Sequence, residues 1–283
     1  MVVAPPGLQL GVGSNPPPGP ATGIPAPGTA TRAHSSPGGQ DGQMTSSQPA
    51  TAAAIDAVRE ATWRLQAAVD DAIDTGAANT MAAPSRLPDW TIGHVVTHLA
   101  RNADGLRRVL IGAVAGQQVQ PYDSPKVRES DIEAGAQRDT AAIAEDLRTA
   151  NQQLAGAIDE IPAPTWGFTV DLGRGGPTTA DVILAARLGE VELHHHDLGV
   201  DGGLDLLDNA QANRLLQALM RTYVRTREVK GTTLIPDGGD PIRIRGGGLE
   251  VAGTAIELVG WLSGRSDGSA LRTAGALPEL PTW

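Results

Sequence analysis

Two groups of residues near the middle of the chain have the types and spacing that bind metal ions. They are His94 with His98, and Glu190 and Glu192 with His194, His195 and His196. Residues four apart on a helix lie one turn apart on the same face. One His–His pair and two Glu–His pairs have this spacing, so each could supply two ligands to one ion. Facing helices of a bundle can bring such pairs together.

The absence of cysteine limits the chemistry further. The 283 residues include no Cys. This excludes a disulfide scaffold, a Cys-ligated zinc site, an iron–sulfur cluster and a Cys nucleophile. Any sulfur chemistry at this chain therefore requires a thiol from another molecule.

Charge and hydropathy argue against two classes of partner. The formal net charge is −10 and the pI is near 5.0, which disfavours electrostatic binding of nucleic acid.

The sequence lacks an apolar run of roughly 18 residues or more, so we expect no membrane span. The N-terminal residues fit a secretory signal poorly. We expect a cytoplasmic protein, with a monomer favoured.

Residues 1–50 differ in composition from the rest of the chain. They hold ten of the 21 prolines and nine of the 35 glycines, but only two charged side chains, Arg32 and Asp41. Such a segment buries too little apolar surface to offset its ordering entropy, so we expect it to be disordered. Met44 is an alternative start of translation.

From Thr51 to residue 202 the pattern is helical. Apolar residues recur at three- and four-residue steps, and caps or breaks separate the runs. The predicted helices cover 51–75, 91–115 with Thr91 as N-cap, 131–158, and a segment from the capping-box-like Thr178–Asp181 to Leu198, ending at Gly199. Four long helices predict a mainly α fold, with an antiparallel four-helix bundle over 51–202.

Residues 203–283 predict a small α+β domain. The pattern indicates a helix over Leu204–Val229, strands over Thr232–Ile235, Ile242–Arg245 and Leu249–Val251, a helix opened by a capping box at Thr254, and a last strand over Ala270–Ala274. We expect this domain to follow the bundle as a separate unit.

The fourth predicted helix is apolar on nearly every face, so its glutamates should be buried. A buried Glu requires a partner. A metal ion is one candidate partner and Arg187 is another. Spacing alone does not choose between them, nor between the two Glu–His pairs.

Three motifs, in this order, resemble a known family. Residues 87–101 read Leu-Pro-Asp-Trp-Thr-Ile-Gly-His-Val-Val-Thr-His-Leu-Ala-Arg, residues 187–198 follow the form Arg-x-x-Glu-x-x-x-His-x-x-Asp-Leu, and residues 261–265 read Trp-Leu-Ser-Gly-Arg. Together they resemble the mycothiol-dependent maleylpyruvate isomerases, within the wider DinB-like metal-binding bundles. The resemblance spans about residues 51–283.

The resemblance implies a specific site. By position in the motifs, His98, Glu190 and His194 would bind a divalent metal, usually zinc, with open positions for water or a thiol. Three N/O ligands and an open position are typical of catalytic zinc. The remaining histidines are then not ligands, although Glu192 and His196 have the same spacing. Asp197 would hold a ligand His or simply end its helix.

The resemblance also implies an activity. Mycothiol bound at zinc would add as a thiolate to the cis double bond of maleylpyruvate, and rotation and elimination would give fumarylpyruvate. Arg265, the motif arginine, would hold a substrate carboxylate or neutralise enolate charge. Two alternatives stay open: transfer of mycothiol to other electrophiles, and a non-enzymatic metal- or ligand-binding module.

Overall fold

The computed structural model describes residues 48–75, 80–173, 175–224 and 229–280. Residues 1–47 of the segment predicted to be disordered lie outside this range. The last three residues of that segment belong to the first helix, which begins three residues before the predicted start. Within the described residues, no helix combines the length and apolarity needed to cross a bilayer.

Four long helices form the larger part of the fold, and they confirm the predicted mainly α class. They are α1 (Gln48–Asp74), α2 (Ile92–Val114), α4 (Thr140–Glu160) and α5 (Val182–Leu198). Helices α1 and α2 each pack against both α4 and α5. Leu65, Leu99, Leu147 and Ile183 are fully buried where these helices meet. Burial of such side chains on all four helices stabilises the bundle.

The predicted third helix, 131–158, is wrong as a single element. It is two helices, α3 (Pro125–Ala136) and α4, separated at Gln137–Asp139. The Asp139 side chain accepts a hydrogen bond from the amide of Ala142 and so starts α4 anew. Helix α3 likewise has its own start, because Ser124 caps it and Pro125 occupies its first turn.

The predicted start of the fourth helix is also wrong, although its end is confirmed. Thr178–Thr179 form strand β2, which pairs antiparallel with β1 (Thr169–Val170), so they are unavailable as a helix cap. Helix α5 begins at Val182 without a side-chain cap and ends at Gly199, whose φ of 70° is the left-handed conformation expected of a terminating glycine.

The C-terminal part contains the predicted short strands and capped helix. A four-stranded sheet has the order β4–β3–β5–β6, in which only the central β3–β5 pair is parallel. Its members are β3 (Thr232–Pro236), β4 (Ile242–Ile244), β5 (Leu249–Gly253) and β6 (Arg272–Thr273). Helix α7 (Ala255–Leu262) follows the predicted capping box at Thr254. The division into domains at residue 202 stays a prediction.

The helix predicted over Leu204–Val229 is wrong in its first part. A 3₁₀ turn covers Gly203–Leu206, and α6 (Asn209–Leu219) begins only after Asp208. Asp208 and Gln211 form a capping box, which fixes that start. One π-helical turn, Met220–Val224, continues α6. Residues 225–228 lie outside the described residues, and Val229, the predicted last residue of the helix, is not helical.

Candidate metal centre

The three predicted ligands, His98, Glu190 and His194, converge between α2 and α5. Nε2 of His98 lies 2.8 Å from Oε2 of Glu190 and 3.1 Å from Nε2 of His194. Nε2 of His194 lies 3.4 Å from the same Glu190 oxygen. Within the described ranges this is the one group of His, Asp and Glu side chains close enough to share an ion.

Local sequence signals position these ligands. Thr91 caps α2, so His98 sits in the second turn, on the face that packs against α5. Glu190 and His194 are one turn apart on α5 and therefore share a face. The edge of the Trp90 ring packs against His98, with the ring centroids 5.6 Å apart. His98 is thus held both by its position on α2 and by the Trp90 ring.

A chain of hydrogen bonds holds His194 from behind. Its Nδ1 donates to Oδ2 of Asp197 at 2.8 Å. Arg265 donates two hydrogen bonds to the same carboxylate, from Nε at 3.1 Å and from Nη2 at 2.5 Å. Its Nη1 donates to the carbonyl of Ser263. Because a carboxylate only accepts, Nδ1 carries a proton, which leaves Nε2 as the nitrogen that can bind a metal once it has lost its own proton. His194 is therefore oriented for ligation.

His98 has a different neighbour at its second nitrogen. Nη2 of Arg128, on α3, lies 3.0 Å from Nδ1 of His98. A guanidinium only donates, so Nδ1 accepts and the proton of the neutral ring lies on Nε2, directed at Glu190. Ligation through Nε2 requires the opposite tautomer, so Arg128 must withdraw from Nδ1 when a metal binds.

Burial determines the charge of His98 and Glu190. Burial, only partly offset by Glu190, lowers the pKa of His98 to about 4, so the ring is neutral at physiological pH. Burial alone would raise the pKa of Glu190, but hydrogen bonds from His194 and His98 hold the pKa well below its usual value. A neutral imidazole and an ionised carboxylate are the forms that bind metals.

His194 and Asp197 form a charged pair. Burial favours neutral His194, but Asp197 and Glu190 outweigh it and raise the pKa of the ring above 6.5. Burial opposes ionisation of Asp197 too, yet His194 and Arg265 lower the pKa of that carboxyl. The His194 proton is therefore the one that a metal must displace near neutral pH.

A cavity of about 340 Å³ opens onto the cluster. His98 and Glu190 line it. The lining also includes Tyr122 just before α3, Arg128 within α3, and Arg221 in the π-helical turn after α6. Arg221 is paired with Asp181 at 2.7 Å. Among the described residues Arg128 has no carboxylate within ion-pair distance, and its guanidinium lies 5.7 Å from the centre of the Tyr122 ring.

The remaining histidines have other contacts. His94 completes the α2 capping box, since its Nδ1 accepts from the amide of Thr91 at 3.2 Å. Nε2 of His195 lies 2.9 Å from Asp201, and His196 lies against Arg86. The Glu192 carboxylate, which shares the spacing of Glu190, pairs with Arg64 of α1. None of these side chains reaches the cluster.

Arg187, the other partner considered for a buried Glu, is directed elsewhere. Its guanidinium donates to the carbonyl of Leu99 at 3.0 Å, to Oδ1 of Asn102 at 2.8 Å and to Oδ1 of Asn151 at 2.6 Å. Burial lowers the pKa of Arg187 to about 10, although Glu190 raises it at longer range. Glu190 thus has the two histidines as its close partners.

Sequence analysis missed Arg128 and Tyr122. Both lie in or just before α3, which the hydrophobic pattern did not reveal because Ile132 is its only buried residue. The Ser124-Pro125 pair, an N-cap followed by a first-turn proline, is the signal that could have located this helix. Because α3 is distant in sequence from both His98 and Glu190, the sequence did not indicate that Arg128 contacts His98.

The donor set suits a divalent metal such as zinc. Two imidazole nitrogens and one carboxylate oxygen form the ligand set of a catalytic zinc site, and the cavity beside them leaves room for further ligands. The hydrogen bond from His194 to Asp197 matches the carboxylate–histidine arrangement that orients metal ligands.

The helical bundle brings together three side chains that could hold a metal ion. Residues 55–199 match the family described as Mycothiol maleylpyruvate isomerase N-terminal domain. This match covers about half of the chain, and the chain belongs to that family.

Two solved structures share the fold. One is described as the mycothiol-dependent maleylpyruvate isomerase, with a TM-score of 0.69, and the other as a histidine-to-alanine mutant of that enzyme, with a TM-score of 0.70. Each is 21% identical to this chain, and each alignment covers 82% of this chain and 97% of the other. No curated protein matches the sequence.

Proposed function

We propose that this chain is a metal- and mycothiol-dependent isomerase that converts maleylpyruvate to fumarylpyruvate by reversible addition of the thiol to the cis double bond. The observation that carries the proposal is the convergence of His98, Glu190 and His194 within the region that matches the family. His98 and Glu190 of this group also line a cavity. The substrate and the thiol are proposed from the two related structures, which are a mycothiol-dependent maleylpyruvate isomerase and its mutant.

We propose His98, Glu190 and His194 as the metal ligands, with zinc as the expected ion. When bound, zinc would supply a positive charge that favours the ionised form of a neighbouring thiol. Because the chain has no Cys, that thiol must come from a cofactor, which mycothiol provides. Asp197 keeps the proton on Nδ1 of His194 and thereby holds Nε2 toward the ion.

The substrate is an anion, and Arg128 is placed to bind it. Arg128 lines the cavity beside His98 and has no carboxylate partner among the described residues, whereas Arg221 is already paired. A guanidinium can hold a carboxylate through two parallel hydrogen bonds. The withdrawal of Arg128 from His98, which metal binding requires, would free its donors for the substrate.

The contacts of Arg265 favour a role other than the direct substrate contact that the resemblance implied. Both of the donors that would grip a substrate carboxylate, Nε and Nη2, are bound to Asp197. We therefore propose that Arg265 supports catalysis by holding Asp197 against His194. Direct contact with the substrate stays the competing prediction, and the two are separated experimentally below.

The test is a turnover assay of the zinc-loaded chain with maleylpyruvate and mycothiol. Isomerisation forms fumarylpyruvate while the free thiol concentration stays constant, and it stops when mycothiol is omitted. Net consumption of the thiol would instead identify a mycothiol S-transferase. If fumarylpyruvate does not form and thiol is not consumed, the catalytic proposal is wrong and a metal- or ligand-binding module remains.

A further inference from the structure

A second cavity in the bundle is lined by residues of α1 and α4 and by Arg187 of α5. It measures about 280 Å³ and opens between α1 and α4. Its lining does not include His98, Glu190 or His194. Most of its wall is apolar, formed by Ile55, Val58, Leu154 and Ile158, and the largely exposed Trp63 stands at its edge. Its shape and lining are those of a small-molecule site.

The innermost polar residues of this cavity are Arg187 and Asn151. Arg187 is 1% exposed and Asn151 is 9% exposed. Nε of Arg187 and Nδ2 of Asn151 are both buried without a hydrogen-bond partner. Buried donors without an acceptor are unfavourable and are uncommon in folded proteins.

Arg187 is also a buried positive charge that forms no ion pair with the described residues, although Glu190 and Asp104 act on it at longer range. Its three acceptors, Leu99, Asn102 and Asn151, are all neutral. Within the described part of the chain, no carboxylate lies within ion-pair distance of the Arg187 guanidinium. A buried guanidinium normally has an anionic partner, because the charge is otherwise costly to remove from water. The two other arginines of the cavity lining do have anionic partners, since Arg59 pairs with Asp159 and Arg148 with Asp70.

We propose that this cavity binds a small carboxylate with an apolar body, distinct from the substrate of the metal centre. The apolar body would pack against the α1 and α4 side chains. The carboxylate would lie toward Arg187 and Asn151, supplying both the missing acceptors and the missing negative charge. A neutral ligand of the same shape would supply acceptors only, so the charge of the ligand should determine affinity.

Calorimetric titration of the zinc-loaded full chain with octanoate and with octanamide tests the proposal. The two probes share an apolar tail and differ in charge at the head group. We expect octanoate to bind at a single site at least tenfold more tightly than octanamide.

A cavity-filling variant locates that site. Ala155 lines the cavity, so Ala155→Leu should weaken octanoate binding at least tenfold. Ala67→Leu adds the same side chain at an exposed position of α1 outside the cavity and should bind octanoate like the parent. Zinc content and the thermal unfolding midpoint establish that each variant folds. Should Ala155→Leu fail to fold, Thr62→Leu fills the cavity from α1.

Three outcomes would overturn the proposal. Equal affinity for octanoate and octanamide would show that the charge of the ligand does not matter. Arg187 would then serve only to connect α5 with α2 and α4 through hydrogen bonds. Unchanged octanoate binding in the cavity-filling variant would place the ligand elsewhere, including at the metal. Absence of octanoate binding to the parent chain would show that the buried guanidinium does not act as a ligand site.

Discussion

The Asp197 carboxylate lies 2.8 Å from Nδ1 of His194, on the side of the ring opposite the metal cluster. This contact keeps a proton on Nδ1 and directs Nε2 toward Glu190 and His98, so that Nε2 is the atom that can bind a metal after deprotonation. Arg265, which follows α7, binds the same carboxylate. The C-terminal part of the chain is therefore connected to a proposed metal ligand through two side chains.

Replacement of Asp197 should weaken metal binding. In Asp197→Asn the side chain keeps an acceptor for Nδ1 but loses its charge and its ion pair with Arg265. We expect zinc affinity to fall about 10- to 100-fold, as for other carboxylate partners of ligand histidines. Competition with a chelator measures the zinc affinity of each variant. The control is Asp201→Asn, which removes the charge beside the neighbouring His195 and should leave zinc affinity unchanged. Equal zinc affinity in both variants would disprove the role of Asp197.

The Arg265→Gln variant separates the two roles considered for that arginine. If Arg265 positions Asp197, the variant should lose zinc affinity about tenfold by the same route, while the KM for maleylpyruvate at saturating zinc changes little. If Arg265 instead held the substrate, the KM would rise and zinc affinity would stay constant. Zinc titration and steady-state kinetics of the same preparation decide between them.

Zinc affinity should depend on pH through His194. Its pKa is raised above 6.5, so below that pKa the ring is protonated and a proton must leave before zinc binds. The affinity should therefore rise about tenfold per pH unit up to the pKa of His194 and then level off. His98, with a pKa of about 4, is already neutral and should contribute little in this range. A flat zinc affinity between about pH 6 and pH 8 would contradict the raised pKa.

Arg128 should oppose metal binding in the free enzyme. Its hydrogen bond to Nδ1 of His98 favours the tautomer that cannot ligate through Nε2. Arg128→Met should therefore bind zinc several-fold more tightly, while the KM for maleylpyruvate rises because the proposed carboxylate site is lost. Arg221→Met is the matched control, since Arg221 lines the same cavity but pairs with Asp181. Unchanged or weaker zinc binding in Arg128→Met would contradict this role.

The parts of the fold that were predictable from sequence are those with local caps. Thr91 starts α2, Gly199 ends α5 and Thr254 starts α7, each through hydrogen bonds or backbone geometry determined by one or two residues. These signals were sufficient to place the proposed ligands on two helices in the correct register.

The errors arose where another interaction overrode the apolar pattern. Ile132 and Ile143 are both buried at a spacing compatible with one helix, yet the Asp139 cap interrupts the chain between them. Thr178 and Thr179 resemble a helix cap, but their backbone pairs with β1. The hydrophobic periodicity of a segment does not reveal such competing partners.

The site was predictable only in part. Motif spacing identified the residues that could be ligands, but the approach of His98 to Glu190 depends on how α2 packs on α5. The contact of Arg128 with His98 depends on the placement of α3 across α2, which no short motif encodes. The contacts of His98 with Glu190 and with Arg128 therefore depend on long-range packing, which the sequence motifs do not specify.

The most direct test of the account is the metal content of purified protein, measured by elemental mass spectrometry for the parent chain and for Glu190→Gln and Glu192→Gln. Both glutamates lie on α5, but only Glu190 faces the histidines, whereas Glu192 pairs with Arg64. We expect near-stoichiometric zinc in the parent and in Glu192→Gln, and little zinc in folded Glu190→Gln. A parent chain that stays metal-free after zinc is supplied, or a Glu190→Gln variant that retains the metal, would contradict the central claim.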